Sequence, residues 1–380
     1  MRTALIHSDA YKRFDYGPEH PLRMERLGLT FGLMDSYGLT RLPDSEVLAP
    51  APAPDAAIRE FHTDEYLAAL RAAGAGEPVP EAYRYGLGPG DNPIWPGVYE
   101  ASALACGGSI LAAELVARGD VARAFAFAGG LHHAMPDRAS GFCYLNDVVL
   151  AIMALRRHGL RVAYVDIDAH HGDGVQAAFY GSADVLTIST HERGDRLFPG
   201  TGAVEEIGEG AGRGYAVNLP LNPYTDDTVY LDAFDAVVPP VLRAFGADVV
   251  VAQLGIDGHR TDPLTHLALS VDGFAAAVRR ILELAPRLVA LGGGGYDLAN
   301  VARAWTAAWA LMNEVTLPPA LPPAFVVDAA PYLGGRRSLW DTPPALPLEA
   351  VRPAREFAER QVAQLRRLVF PLLGVPTSSA

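Results

Sequence analysis

Lysine is nearly absent: Lys12 stands alone against thirty arginines. Schiff-base or P-loop chemistry would have to run through Lys12, which lies in no suitable motif. Cysteine is as scarce. Cys106 and Cys143 are far apart and sit in apolar segments. They form no CxxC and read as small core residues of a protein in a reducing compartment. No run approaches ~20 uninterrupted apolar residues, so no membrane span is expected. The start, MRTALIHSDAYKRFDYG, lacks the apolar run and small-residue cleavage site of a signal peptide. Basic runs are missing too. With 31 basic against 44 acidic residues, the net charge of -13 would repel phosphate backbones. These absences point to a cytoplasmic protein with no direct nucleic-acid or membrane partner.

Half of the 380 residues are hydrophobic, enough for one large core. Nearly all-apolar strands are expected at 3–7, 123–128, 161–167, 185–189, 215–219, 248–254 and 288–291. Helical patterns fall at 23–37, 66–72 (with Thr63 as N-cap), 98–117, 147–158, 174–180, 226–245, 271–284, 297–312 and 348–368. Residues 47–58 read as Pro-rich connection and 85–96 as an irregular Gly/Pro loop. This alternation predicts an α/β fold with a single open, mostly parallel sheet and helices on both faces. No repeat and no interior boundary is evident, so one domain over 1–380 is expected. Its Pro-rich and helical C-terminal extension begins near 315.

The organising stretch is VAYVDIDAHH, 162–171, followed by GDG. If the strand stayed extended, Asp166, Asp168 and His170 would project to one side. Ionisable groups so crowded call for a cation or hydrogen-bond partners. Other strands end in GGLHH (129–133), STH (189–191), GIDGH (255–259) and GGGGY (292–296). In a parallel sheet these turns share one edge, where open α/β sheets place their ligands. Asp168, His170 and Asp257 suit a catalytic metal that keeps an open position. His132 and His133 can move protons, with Asp166 and Asp173 to orient them. Tyr296 can donate to a developing oxyanion. Gly141, Phe142 and Phe198 can form a narrow apolar slot.

Five segments now carry a resemblance: GGLHHAMPDRASGFCYLND, YVDIDAHHGDGVQAAFY, TISTHERGDRLFPGTG, GIDGHRTDPL and LGGGGYDLANVARAW. In this order, over residues 3–313, they resemble the zinc-dependent histone deacetylase superfamily, and within it the bacterial acetoin-utilisation-type deacetylases. The resemblance implies the arginase/deacetylase-like fold and hydrolysis of acetyl-lysine in proteins, releasing acetate. The cofactor implied is zinc, with iron(II) the other candidate. Asp168, His170 and Asp257 match the metal ligands. His132 and His133 match the tandem histidines, His133 being the general base and acid, with Asp166 and Asp173 behind them. Tyr296 matches the carbonyl-polarising tyrosine.

Gly141, Phe142 and Phe198 match the acyl-lysine tunnel, with Leu264 at its rim. Asp91 matches a rim aspartate, although GPGDNP differs from the usual surroundings, and Arg23 a basic residue near the acetate. Asp166, Asp168, His170, Ser189 and Thr190 match a structural potassium site. An acetylated enzyme such as acetyl-CoA synthetase is the protein substrate implied. The alternatives are an acetylated polyamine as substrate, or a non-catalytic acyl-lysine binder. A two-metal ureohydrolase is disfavoured, because Gly172 and His259 stand where further carboxylates would be needed.

Overall fold

A computed structural model describes residues 2–341 and 346–376 of the chain; positions 342–345 and 377–380 of the expected extension lie outside it. Eight strands form one sheet: β1 (Thr3–Ile6), β2 (Ser45–Leu48), β3 (Arg123–Ala126), β4 (Val162–Asp166), β5 (Val185–Glu192), β6 (Ala216–Leu221), β7 (Val249–Gln253) and β8 (Leu288–Leu291). Their order is β2-β1-β3-β8-β7-β4-β5-β6, and every neighbouring pair is parallel. The expectation of a mostly parallel sheet is met in full.

The strands are buried on both faces because alternate side chains enter different layers. Val162 and Tyr164 of β4 join one apolar cluster with the helices Val98–Arg118 and Asp147–Arg157. Ala163 and Val165 join the other, with the helices Glu25–Ser36, Asp227–Phe245, Val271–Leu284 and Leu298–Met312. Helix starts are fixed locally. Thr63, Asn146, Asp226, Ser270 and Asp297 cap helices by accepting N–H bonds from the first turn. The helix Val98–Arg118 is long and apolar enough to cross a membrane, but it packs in the core against Asp147–Arg157.

Three local expectations change. Ser45–Leu48 is an edge strand, not connection; its exposed, polar-containing SEVL pairs on one side only. β5 continues through His191 to Glu192, so STH belongs to the strand. β4 stops at Asp166, so strand alternation does not place Asp168 and His170.

The extension packs against the sheet's helices. The helix Leu348–Leu368 packs on Asp227–Phe245. Asp341 accepts from Arg303 Nη1 (2.8 Å) and the Val271 N–H (2.8 Å), and its Oδ2 lies 2.9 Å from His259 Nε2. Burial opposes the Asp341 charge, but these partners win and hold its pKa below the usual carboxylate range. A depressed folded pKa stabilises above the unfolded value near ~4 and loses that contribution as the pH falls further. Asp341→Asn should therefore lower stability by about 2–4 kcal/mol at pH 7. Urea unfolding should show this deficit narrowing below pH ~4; an unchanged midpoint at pH 7 would refute the bridging role.

Candidate active site

Past β4 the chain folds on its own carboxylates. Asp166 Oδ1 accepts the Asp168 N–H (3.0 Å) and Asp168 Oδ1 accepts the His170 N–H (2.9 Å). Two successive Asx turns thus replace the expected extended geometry. Asp257, from the loop after β7, accepts the Ala169 N–H at 2.7 Å. The result is convergence: His170 Nδ1 lies 3.1 Å from Asp168 Oδ1 and 2.8 Å from Asp257 Oδ2. All three side chains are buried, and one ligand atom from each lies within 4.8 Å of the others. An idealised Cβ on Gly294 would come within 2.0 Å of Asp257 Oδ2, so only glycine lets the loop after β8 close over the group.

This donor set fits a divalent metal of the zinc or iron(II) kind, with room for further ligands. Charge supports the fit. Burial opposes a charged His170, yet Asp257 and Asp168 raise its pKa well above the free value, so the pocket demands positive charge. Among the described residues no second cluster of carboxylate and imidazole ligands stands beside it for a second divalent ion. A Cβ at Gly172 would come within 2.5 Å of Asp166 Oδ2, and both His259 nitrogens are engaged, by Asn300 Nδ2 and Asp341.

The tandem histidines come from the loop after β3. His132 Nδ1 meets Asp166 Oδ2 at 2.8 Å and His133 Nδ1 meets Asp173 Oδ1 at 2.7 Å, leaving the two Nε2 atoms 3.0 Å apart. Burial disfavours charge on both rings. At His132 the Asp166 and Asp168 carboxylates overcome it and raise the pKa to about 9. At His133 burial and the neighbouring His132 hold it down at about 4. The loop is clamped from behind by residues the sequence reading passed over. Asp147 accepts the N–H groups of Gly130 (2.9 Å) and Leu131 (2.7 Å), and Asn146 donates to the carbonyls of His132 (3.1 Å) and Ala134 (3.0 Å). Gln253, also unpredicted, donates to Asp168 Oδ2 at 2.8 Å.

Tyr296 lines the same chamber as His132, His133, Asp168 and His170, a narrow cavity of about 20 Å³. Its hydroxyl has no hydrogen-bond partner among the described residues. Phe142 packs edge-on against Tyr296 and Phe198 edge-on against His133, with ring centres 5.7 and 5.0 Å apart. Gly141 lies between, its φ at +50°, and a Cβ there would meet His133 at 2.6 Å and Phe198 at 2.7 Å. Phe142 takes φ +69°, uncommon outside glycine, while the Tyr16 hydroxyl donates to its carbonyl at 2.8 Å.

At the mouth, Phe198 is 42% exposed. Leu264 is half-buried, and Asp91 is exposed with its carbonyl 3.2 Å from His20 Nε2. Ser189 Oγ meets His191 Nδ1 at 2.8 Å. Thr190 Oγ1 meets Tyr230 at 2.6 Å and donates to the Asp166 carbonyl at 3.1 Å. One expectation fails outright. Arg23 lies at the surface, ion-paired with Glu25. The buried guanidinium is Arg26, which lines the chamber, donates to the Gly293 carbonyl at 2.7 Å and lies over Trp305.

Fold and site define the class first: a parallel α/β protein with a buried Asp–His–Asp triad, able to hold a metal, at the carboxyl edge of its sheet. A histone deacetylase domain matches residues 20–312. The chain is 39% identical over 333 residues to the acetoin utilization protein AcuC of Bacillus subtilis, covering 86% of each. It is 39% identical over 324 residues to histone deacetylase RPD3 of Saccharomyces cerevisiae, covering 84% of this chain and 74% of the relative. The crystal structure of an HDAC homolog from Aquifex aeolicus superposes with a TM-score of 0.86 at 31% identity, over 95% of this chain and all of that one. That of an HDAC homolog complexed with SAHA gives 0.85 at 32%. The chain belongs to the histone deacetylase family, and it is a deacetylase.

Two outcomes are expected. Asp257→Ala should lose bound metal while staying folded; elemental analysis finding one retained equivalent would refute the ligand set. Gly141→Ala should lower kcat/KM by about 10²-fold, because the added methyl displaces His133 or Phe198. Near-normal turnover would mean that the substrate does not pass there.

Proposed function

We propose that the protein hydrolyses the acetyl amide of acetyl-lysine in protein substrates and releases acetate. The observation that carries this is the Tyr296 hydroxyl, without a hydrogen-bond partner among the described residues, sharing one chamber with the tandem histidines and with Asp168 and His170 of the triad, beneath a mouth where Phe198 is exposed. Bound to Asp168, His170 and Asp257, zinc or iron(II) would polarise the acetyl carbonyl and lower the pKa of water toward ~7. The chain's own groups do the rest. Phe142 and Phe198 flank the side-chain stem, and Gly141 leaves it room. His133, with Nδ1 held by Asp173, takes the proton of the attacking water at Nε2 and later returns it to the departing amine. His132, backed by Asp166, keeps positive charge beside it. Tyr296 donates to the developing oxyanion.

Leu264 and Asp91 would contact substrate at the rim, and Arg26 takes the place proposed for Arg23 near the acetate. Asp166, Asp168, His170 and Ser189 form a reasonable seat for a structural potassium ion. Thr190 would join through its backbone, since its hydroxyl is already engaged by Tyr230 and Asp166. A second reading draws on the net charge of -13, which favours cationic acetylated polyamines. Exposure of Phe198 and Asp91 favours the larger substrate.

Acetate release from an acetyl-lysine peptide and from acetylated polyamines, measured in parallel, separates the two. The peptide should be preferred, and a polyamine preference would overturn the protein assignment. Tyr296→Phe should slow turnover by ~10²–10³-fold. A folded variant at wild-type rate would remove Tyr296 from the chemistry.

A further inference from the structure

Asp262 lies in the loop after β7, five residues beyond Asp257, and is 8% exposed. Its two carboxylate oxygens face different loops. Oδ2 accepts the backbone N–H of Tyr296 at 2.9 Å, and Oδ1 accepts that of Leu264 at 3.0 Å. One side chain thus ties the loop bearing the rim residue to the loop bearing the oxyanion donor. We propose that Asp262 is a positioning residue for hydrolysis, fixing the backbone from which the Tyr296 hydroxyl reaches the chamber. This rests on the role given to Tyr296 above.

The glycines explain why such an anchor is needed. Gly292 to Gly295 give the segment wide backbone freedom, and Gly293 and Gly295 have φ of +134° and +143°. Such a chain holds an orientation only where something grips it. Arg26 grips the carbonyls of Gly293 and Gly295, at 2.7 and 3.3 Å, and Asp168 Oδ2 accepts the Gly294 N–H at 2.7 Å. Asp262 supplies the last point, on the tyrosine's own amide. Beyond it, Thr261 Oγ1 donates to Asp297 Oδ2 at 2.8 Å, so the two loops are joined at consecutive residues on each side. Among the described residues the Tyr296 hydroxyl has no hydrogen-bond partner, so its position follows from the backbone beneath it and from the ring's contact with Phe142. A misplacement of about 1 Å is enough to cost two orders of magnitude in rate.

Asp262→Asn keeps a carbonyl oxygen for one of the two N–H groups, and Asp262→Ala keeps none. The test is a double-mutant cycle with Tyr296→Phe, read as kcat, KM, bound metal and thermal midpoint. In the parent, Asp262→Ala should lower kcat ~10–100-fold with KM within ~3-fold, and Asp262→Asn should recover part of the loss. In the Tyr296→Phe background the same changes should alter kcat by less than ~3-fold, because the hydroxyl they position is gone. Should Asp262→Ala fail to fold, the Asn variant closes the cycle. Full additivity of the two losses would overturn the proposal, as would loss of bound metal in the Asp262 variants. If Tyr296→Phe alone turns over at the wild-type rate, the role of Tyr296 itself fails, and the two failures are told apart.

Discussion

Two carboxylates, Asp168 and Asp257, are buried within reach of one imidazole, and the surrounding structure answers the charge they create. Isolated, either would be expensive to keep ionised away from water. The fold spreads that burden over many donors. Asp168 is met by the N–H groups of His170 and Gly294 and by Gln253, and Asp257 by the Ala169 N–H and His170. These donors come from the loops after β4 and β8 and from the end of β7. Only a parallel sheet delivers such loops to one edge.

The same economy governs the groups around the triad. Each histidine of the pair has one nitrogen tied to a carboxylate, so only the other faces the chamber. The loop carrying them is held by Asn146 and Asp147 at the start of the helix Asp147–Arg157. That helix is itself locked into the apolar layer under the sheet, so core packing reaches the reactive nitrogens in two steps. The glycine segment before Tyr296 has no side chains to pack, so its backbone is held by Arg26, Asp168 and Asp262 and by the N–H groups of Leu254 and Ile256.

Much of this was legible in the sequence because strand ends and chemistry coincide. All-apolar runs marked the strands, and the polar residues directly after them marked the site: Asp168, His170, the tandem histidines and Tyr296 line one chamber, and Asp257 clusters with Asp168 and His170 at its wall. What failed depended on where a helix begins or on edge pairing. Arg23 precedes the helix Glu25–Ser36, whereas Arg26 lies in its first turn and shares the buried stripe of Thr30, Leu33 and Met34. Counting i, i+4, i+7 and i+8 does not separate them, since Leu27, Thr30 and Phe31 follow Arg23 as Thr30, Leu33 and Met34 follow Arg26. The edge strand SEVL has an exposed pattern that no core periodicity could reveal. The backing roles of Asn146, Asp147, Gln253 and Asp262 rest on contacts across 12 to 85 residues or more of sequence, or on a turn whose partner loop is remote, and no local motif announces them.

The central claim is a single metal centre at one sheet edge, on which deacetylation depends. Its most direct test is to strip the protein with a chelator, titrate it with zinc and follow acetate release from an acetyl-lysine peptide. The account predicts activity that rises in proportion to added zinc and levels off at one equivalent per chain. A plateau at two equivalents, or full activity in stripped protein, would contradict it.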